Sequence, residues 1–234
     1  MTIKNFLSGE LRLLIKRYEM ARIRLGTSGF EIDSTEGLSN GQTIRKYKSY
    51  DQYVRHQVTK ARFLSGWKEN RVSYFKNQFM SSKSLSEVGE NETLLCVGAR
   101  FGEEVAVLRE MGYLAIGIDL NPEQENKFVL FGDVHQIEFP NSVFDKAFCN
   151  VLDHVLDLEK ALREIARVLK SPGQLVLHIS HSEPGDFEVR GWDSAEKFAE
   201  RIGVFFGVQP IITERNSHIE AVFLLNGLGQ TRGN

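Results

Sequence analysis

The stretch from Leu94 to Asp119 (LLCVGARFGEEVAVLREMGYLAIGID) constrains the fold of this chain most. An apolar run leads through a glycine-containing turn into an amphipathic segment, and a second apolar run ends in an aspartate. This order predicts a βαβ unit, in which Gly98 turns the chain at a strand end and Gly102 lets the helix begin close to a ligand. Asp119 would follow the second strand, where a carboxylate can bind both hydroxyls of a ribose. The pattern indicates a site for an adenosine-type cofactor.

Strands and helices continue to alternate from residue 92 onward, which predicts a parallel sheet with helices on its faces. Apolar runs predict strands at Thr93–Val97, Leu114–Leu120, Phe128–Phe131, Phe144–Asn150 and Gln174–Ser180. Two last strand candidates, Val208–Thr213 and Ile219–Leu225, are joined by a linker too short for a parallel crossover. The expected fold class is therefore α/β: a Rossmann-like doubly wound sheet, mostly parallel, with a C-terminal antiparallel hairpin and an N-terminal helical cap. Residues 121–126 have room for about one helical turn.

The first 90 residues lack the alternating pattern and are expected to form the helical cap or lid. Apolar residues at helical spacing predict a helix within residues 1–25, whereas Gly26–Gln42 is rich in glycine, serine and threonine and is predicted to be a loop. A second helix is predicted after Ser49, and a third near residues 67–79. The expected division is a cap at 1–90, a cofactor-binding domain at 91–226 and a flexible tail at 227–234.

Five short motifs in one order indicate which cofactor is bound. They are the glycine loop Cys96–Gly102, Asp119, Gly132-Asp133, FPNSVFD at 139–145 and RVLKSPG at 167–173. Together they resemble a class I S-adenosylmethionine-dependent methyltransferase with a type 11-like domain, which implies S-adenosyl-L-methionine as cofactor and S-adenosyl-L-homocysteine as product. The resemblance implies cofactor contacts from Gly98, Ala99, Arg100, Gly102, Asp119, Leu120, Asp133, Val134 and Asn150. A nicotinamide or flavin site is disfavoured, because the glycines of G-x-G-x-x-G are missing after Gly98.

Two departures from the family pattern fall within the glycine loop. Cys96 replaces an acid that helps to hold the methionine end of the cofactor, and Arg100 replaces a glycine. Arg100 is expected to be a solvent-facing loop residue or to bind the carboxylate of the cofactor, while Glu103 or Glu104 could supply the missing negative charge. These departures support an alternative function, a non-catalytic protein that binds the cofactor or serves as a scaffold.

Methyl transfer is an in-line displacement that depends mainly on the orientation of the acceptor, so a base is optional. Asn150 and His154 follow the fourth strand and are the catalytic candidates; His154 is either a base or a histidine packed at a helix start. Tyr53 and His56, which repeat at helical spacing in the second predicted helix, are candidates for acceptor binding, as are His181 and Trp192 after the fifth predicted strand. The expected acceptor is a small or medium polar molecule that is methylated on oxygen or nitrogen.

Other classes of partner are less well supported by the sequence. Residues 1–90 carry 16 Lys and Arg against 9 Asp and Glu, a balance of +7, which leaves an RNA methyltransferase as a second alternative. No RNA-binding module, metal-ligand spacing or apolar stretch of about 18 residues is present. Cys96 and Cys149 lie in apolar runs and are expected to be free thiols of a cytoplasmic protein. The oligomeric state is left open.

Overall fold

The computed structural model describes residues 9–26, 29–33, 37–60, 68–123, 126–180, 184–216 and 218–226. Its strands are β1 (Phe30–Asp33), β2 (Gln42–Arg45), β3 (Thr93–Val97), β4 (Leu114–Asp119), β5 (Val129–Phe131), β6 (Phe144–Cys149), β7 (Leu169–Ile179), β8 (Arg190–Trp192), β9 (Ile211–Glu214) and β10 (Ile219–Leu225). Its helices are α1 (Gly9–Gly26), α2 (Tyr50–Lys60), α3 (Lys68–Ser81), α4 (Lys83–Ser86), α5 (Glu103–Glu110), α6 (Leu158–Val168) and α7 (Ala195–Phe206). Short 3-10 turns lie at Gly37–Ser39 and Leu152–His154.

The central sheet has seven strands in the order β5-β4-β3-β6-β7-β10-β9. Strands β3 to β7 pair in parallel, whereas β10 is antiparallel to both β7 and β9. The predicted α/β fold class and its C-terminal hairpin are therefore confirmed. The chain proceeds outward from β3 to β5 and then returns to β6 on the other side of β3. Ligands of such sheets bind at the carboxyl ends of the strands beside this reversal.

Local sequence explains where the main helices begin and which face they bury. The Asp157 side chain accepts a hydrogen bond from the Lys160 backbone N–H and so caps α6, and Ser194 caps α7 in the same way. Helix α6 buries its apolar stripe against the sheet with Leu158, Ala161, Leu162, Ile165 and Val168. A second cluster, on the other face, includes residues of α3 and α5. The sheet is thus covered on both sides, as parallel sheets require.

The loop expected at Gly26–Gln42 contains strand β1 and leads directly into β2, so this prediction was wrong. Strand β2 also pairs with β8, which places Gln42 opposite Trp192 in a three-stranded sheet, β1-β2-β8. The cap region is therefore not purely helical. Its strand partner lies about 150 residues further along the chain, beyond the reach of any local pattern.

Two further expectations concern connections and termini. Between β4 and β5, the described residues form no helix at all, which is less than the single turn predicted for residues 121–126. His181 and the tail at 227–234 lie outside the described residues.

Cys96 and Cys149 are both buried and free, as expected. In the part of the chain that is described, no helix is both long and apolar enough to cross a membrane.

Candidate active site

A cavity of about 380 Å³ opens at the carboxyl ends of β3, β4 and β6. Helix α2 and the loop at residues 184–189 enclose its other side. The lining residues are Tyr53, Gln57, Lys60, Arg71, Val97, Gly98, Arg100, Phe101, Ile118, Asp119, Leu120, Asn121, Gly132, Val134, Asn150, Val151, His154, Val155, Phe187 and Glu188. This set joins residues predicted for the cofactor with residues predicted for catalysis and for the acceptor.

Gly98 begins the turn after β3 and cannot be replaced by a larger residue without disturbance. Its φ of +79° lies in the left-handed region, and an added Cβ would collide with the side chain of Val151. The backbone N–H groups of Gly98 and Ala99 both donate to the Ile118 carbonyl oxygen, at 2.8 and 3.0 Å. These bonds fix the turn against β4. Ala99 is buried beneath the turn and, like Gly102, is not among the cavity-lining residues.

Asp119 ends β4 and places a nearly buried carboxylate in the cavity. Its Oδ2 accepts from the Arg100 backbone N–H at 3.2 Å, and its Oδ1 accepts from the Asn121 backbone N–H at 2.7 Å. A carboxylate offers about four acceptor positions, so these two bonds leave capacity for a pair of ribose hydroxyls. The residue retains the acceptor capacity that the predicted role requires.

The expectation that Arg100 faces solvent was wrong. Its guanidinium lines the cavity, with Nε 3.9 Å from Asp119 Oδ1, and the side chain is only 16% exposed. Burial lowers the pKa of Arg100 and the charge of Asp119 opposes that shift. The backbone has a φ of +30°, because the turn retains the path expected of a glycine at this position. Arg100 therefore lies over the carboxylate predicted to bind ribose.

Asp133 lies beside the cavity but is not among its lining residues, unlike its neighbours Gly132 and Val134. Its Oδ1 accepts from both the backbone N–H and the Nδ1–H of His135, at 2.8 and 2.7 Å. The Tyr50 hydroxyl of α2 donates to Oδ2. The carboxylate expected to meet adenine is thus bound to the cap region in this structure.

Glu103 and Glu104 begin α5 behind the glycine loop, and neither lines the cavity. Glu103 lies 3.6 Å from Arg71 Nε. Glu104 is 2% exposed, and its Oε2 has no hydrogen-bond partner among the described residues. Burial raises the pKa of Glu104 to about 8, an effect that the charge of Arg71 opposes. The second acid is therefore protonated at neutral pH and does not supply the missing charge.

His154 ends the 3-10 turn after β6 and its ring has a defined tautomer. Its Nδ1 lies 3.0 Å from the Phe187 carbonyl oxygen, which can only accept, so Nδ1 carries the hydrogen. The lone pair on Nε2 then accepts a hydrogen bond from the Lys60 ammonium at 2.5 Å. Asn150, four residues earlier in the chain, lines the same cavity. The structure brings the two catalytic candidates together.

Burial and charge perturb the protonation of this cluster. Burial lowers the pKa of His154 to about 3, and the neighbouring Lys60 charge contributes in the same direction. Burial also lowers the pKa of Lys60 to about 8, although Asp153 opposes the shift. Asp153 itself has a pKa raised by burial to about 6. At neutral pH, His154 is consequently an uncharged acceptor beside a cationic lysine.

The fold also assembles three possible metal ligands that the sequence spacing does not reveal. Asp153, His154 and Glu188 have ligand atoms within 4.8 Å of one another. His154 Nε2 is the ring nitrogen that such a metal would need, and it already accepts from Lys60. The Lys60 ammonium supplies the positive charge at this place.

Of the described candidates for acceptor binding, one lines the cavity and two lie outside it. Tyr53 lines the cavity. His56 does not: its Nε2 is 2.9 Å from the Asp186 carbonyl oxygen and its Nδ1 is 2.7 Å from the Tyr47 hydroxyl. Trp192 stacks on Phe198 outside the cavity, with ring centroids 4.2 Å apart. His56 therefore joins the cap region to the 184–189 loop, and Trp192 packs on α7.

Several cavity residues were not predicted as site residues from the sequence. Lys60 follows Gln57 by three positions on α2, so the helical spacing that selects Tyr53 also points to Lys60. For Phe187 and Glu188, the only sequence feature that indicates a role in the site is their position in the loop after the fifth predicted strand. They reach the cavity because Gln57 Nε2 donates to the Phe187 carbonyl oxygen at 3.0 Å.

Comparison with known proteins agrees with this fold. Residues 95–177 match the methyltransferase domain family Methyltransf_11. A curated relative, the uncharacterized protein MJ1252 of Methanocaldococcus jannaschii, is 26% identical over 146 residues, which cover 57% of this chain and 56% of that protein. The matched region thus spans only about half the length of that relative.

Two solved structures share the fold at low identity. The 1,6-didemethyltoxoflavin-N1-methyltransferase of Burkholderia thailandensis, with 1,6-didemethyltoxoflavin and S-adenosylhomocysteine bound, has a TM-score of 0.56 at 15% identity, covering 84% of this chain and 98% of that one. Protein PH0226 of Pyrococcus horikoshii has a TM-score of 0.53 at 15% identity, covering 76% of this chain and 100% of that one. The match to a methyltransferase domain over residues 95–177 and the shared fold both agree with the class I S-adenosylmethionine-dependent methyltransferase that the sequence motifs resemble.

Proposed function

We propose that this protein transfers a methyl group from S-adenosyl-L-methionine to oxygen or nitrogen of a small or medium polar acceptor. One observation carries the proposal: one cavity is lined by Gly98 and Asp119 and also by Tyr53 and His154. Cofactor residues and acceptor residues therefore face the same space, as an in-line transfer requires.

The residues present fit the proposed cofactor. Gly98 lines the cavity with backbone alone, and Asp119 retains acceptor capacity for ribose hydroxyls. Gly132 and Val134 offer backbone and an apolar side chain for an adenine ring, and Leu120 lines the cavity beside Asp119. When bound, the cofactor supplies an electrophilic methyl group on a sulfonium. The protein's part is to orient the acceptor and to receive its proton.

We assign proton acceptance to His154. His154 lines the cavity, its Nε2 lone pair accepts from Lys60, and the Phe187 carbonyl fixes Nδ1 as the donor. For an acceptor O–H or N–H bound at this nitrogen, the proton would move to Nε2 while the acceptor atom gains the methyl group and the bond between that methyl group and sulfur breaks. Asn150 is assigned to orientation of the acceptor or of the methionine end of the cofactor.

The test of the cofactor site is calorimetric titration with S-adenosylmethionine and S-adenosylhomocysteine. We expect micromolar affinity in the intact protein and at least a tenfold loss in Asp119→Asn, about the effect of losing charged hydrogen bonds to two hydroxyls. Asp51→Asn, on the exposed side of α2, is the matched control and should bind normally. No binding by the intact protein would refute the proposed function.

A second candidate is a non-catalytic protein that binds the same cofactor or acts as a scaffold. The position of Arg100 over Asp119 favours it, because the guanidinium competes with ribose for one oxygen. Arg100→Gly separates the two candidates. If Arg100 blocks the site, this variant will bind S-adenosylhomocysteine far more tightly than the intact protein; if the proposed methyltransferase is correct, the two will bind alike.

A further inference from the structure

We propose that the acceptor carries an anionic oxygen group, a carboxylate or a phosphate, and that Lys60 binds it beside His154. The inference rests on the proposed function, since it assigns the acceptor of that same cavity. Lys60 would then determine the substrate class.

The first support is the unused hydrogen-bonding capacity of Lys60. It ends α2 and lines the cavity, and within the described residues its one hydrogen bond goes to His154 Nε2. It forms no ion pair with any described carboxylate. An ammonium has three N–H donors, so two remain for a ligand. An oxyanion provides acceptors for both.

The second support is the charge balance of the cavity. Among its described lining residues, three cations (Lys60, Arg71 and Arg100) face two carboxylates (Asp119 and Glu188). S-adenosylmethionine adds a further net positive charge, because its sulfonium and ammonium outweigh its carboxylate. Arg100 lies next to Asp119 and Arg71 lies next to Glu103 outside the lining. Lys60, in contrast, has no described carboxylate within 4.0 Å, and the negative charges that act on it, those of Asp153, Glu188 and Asp119, lie farther away. An anionic acceptor reduces this excess of positive charge.

The third support is the geometry at the proposed base. The Lys60 ammonium donates a hydrogen bond to the one lone pair of His154 Nε2. An anion beside Lys60 draws the ammonium hydrogen bonds toward itself, which releases Nε2 to accept a proton from the acceptor.

The remaining lining indicates what the rest of the acceptor contacts. Tyr53, Val155 and Phe187 supply aromatic and aliphatic surface around Lys60 and His154. A small apolar or aromatic body with one anionic group matches this arrangement.

The experiment uses intact protein saturated with S-adenosylhomocysteine and matched probes. Benzoate and benzamide have the same ring but differ in charge, and phenyl phosphate replaces the carboxylate with a phosphate. We expect at least one anion to bind about tenfold or more tightly than benzamide in calorimetry. The comparison of benzoate with phenyl phosphate then identifies the preferred anion. Because these probes require no variant, the charge preference is tested even if substitutions unfold the protein.

Variants then locate the effect at Lys60. Lys60→Met should abolish the preference for anions, Lys60→Arg should retain it, and Lys48→Met, an exposed lysine just before α2, should leave it unchanged. The thermal midpoint of each variant confirms folding. Equal binding of benzamide and both anions, or an unchanged preference in folded Lys60→Met, would overturn the inference.

Failure of the proposed function is distinguishable from failure of this inference. An intact protein that does not bind S-adenosylhomocysteine contradicts the proposed function and removes the basis of the inference. Normal cofactor binding without a preference for anions contradicts the inference alone. A large loss of S-adenosylhomocysteine affinity in folded Lys60→Met would assign Lys60 to the methionine carboxylate instead, which also overturns it.

Discussion

Replacement of Glu104 by glutamine should stabilise the protein increasingly as pH rises. Glu104 is 2% exposed, and burial raises its pKa to about 8 from the ordinary value of 4.5. Between these two values the folded protein keeps a proton that the unfolded chain releases. Stability therefore falls as pH rises through this window, and the loss is absent when the side chain cannot ionise.

The magnitude follows from the same shift. One pKa unit corresponds to about 1.4 kcal/mol, so Glu104 alone should cost about 3 to 4 kcal/mol of unfolding free energy between about pH 5 and pH 8. Urea unfolding followed by circular dichroism across that range measures it for the intact protein and for Glu104→Gln. Glu110→Gln, on the exposed face of the same helix, is the control and should follow the intact protein within about 0.5 kcal/mol. If the difference between Glu104→Gln and the intact protein stays constant across the range, Glu104 ionises normally and the burial argument is wrong.

Three further substitutions test local features of the fold and the site. Asp157→Ala removes the side-chain cap of α6 and should lower the unfolding free energy by about 1 kcal/mol with an unchanged urea slope; a negligible change would show that the cap is dispensable. Gly98→Ala forces a Cβ into Val151 and should weaken S-adenosylhomocysteine binding at least tenfold, with partial recovery in Gly98→Ala/Val151→Ala; no recovery would mean that the positive φ is the main cause. His56→Leu removes a hydrogen bond to the 184–189 loop and should increase amide hydrogen exchange there while leaving cofactor affinity intact; unchanged exchange would show that other bonds hold the loop.

Much of the central fold can be predicted from the sequence because its signals are local. The βαβ unit ending at Asp119 appears as two apolar runs around an amphipathic segment, each decided by residues within a few positions of one another. The capping role of Asp157 and the antiparallel direction of β10 follow from short-range rules of the same kind. Tyr53 was selected by helical spacing and does line the cavity.

The features that could not be predicted depend on contacts between distant parts of the chain. Glu188 reaches His154 only through the fold, with 33 residues between them, so no ligand spacing marks the pair. Helical spacing places Tyr53 and His56 on one face of α2, but it does not show which of them reaches the cavity. The burial of Arg100 depends on the position of Asp119, because the nearby carboxylate stabilises the guanidinium charge away from solvent.

The pairing of β2 with β8 has a consequence for protein engineering. The wall of the cavity opposite the central sheet is built from two pieces of chain, residues 42–60 and residues 184–192, which share a sheet and several hydrogen bonds. A chimera that imports only residues 42–60 from a relative would replace Arg45, His56 and Gln57. The carbonyl groups of residues 186–188 that they contact would remain unchanged and would lose these partners. Exchange of acceptor preference between relatives should therefore succeed only when both pieces are transplanted together.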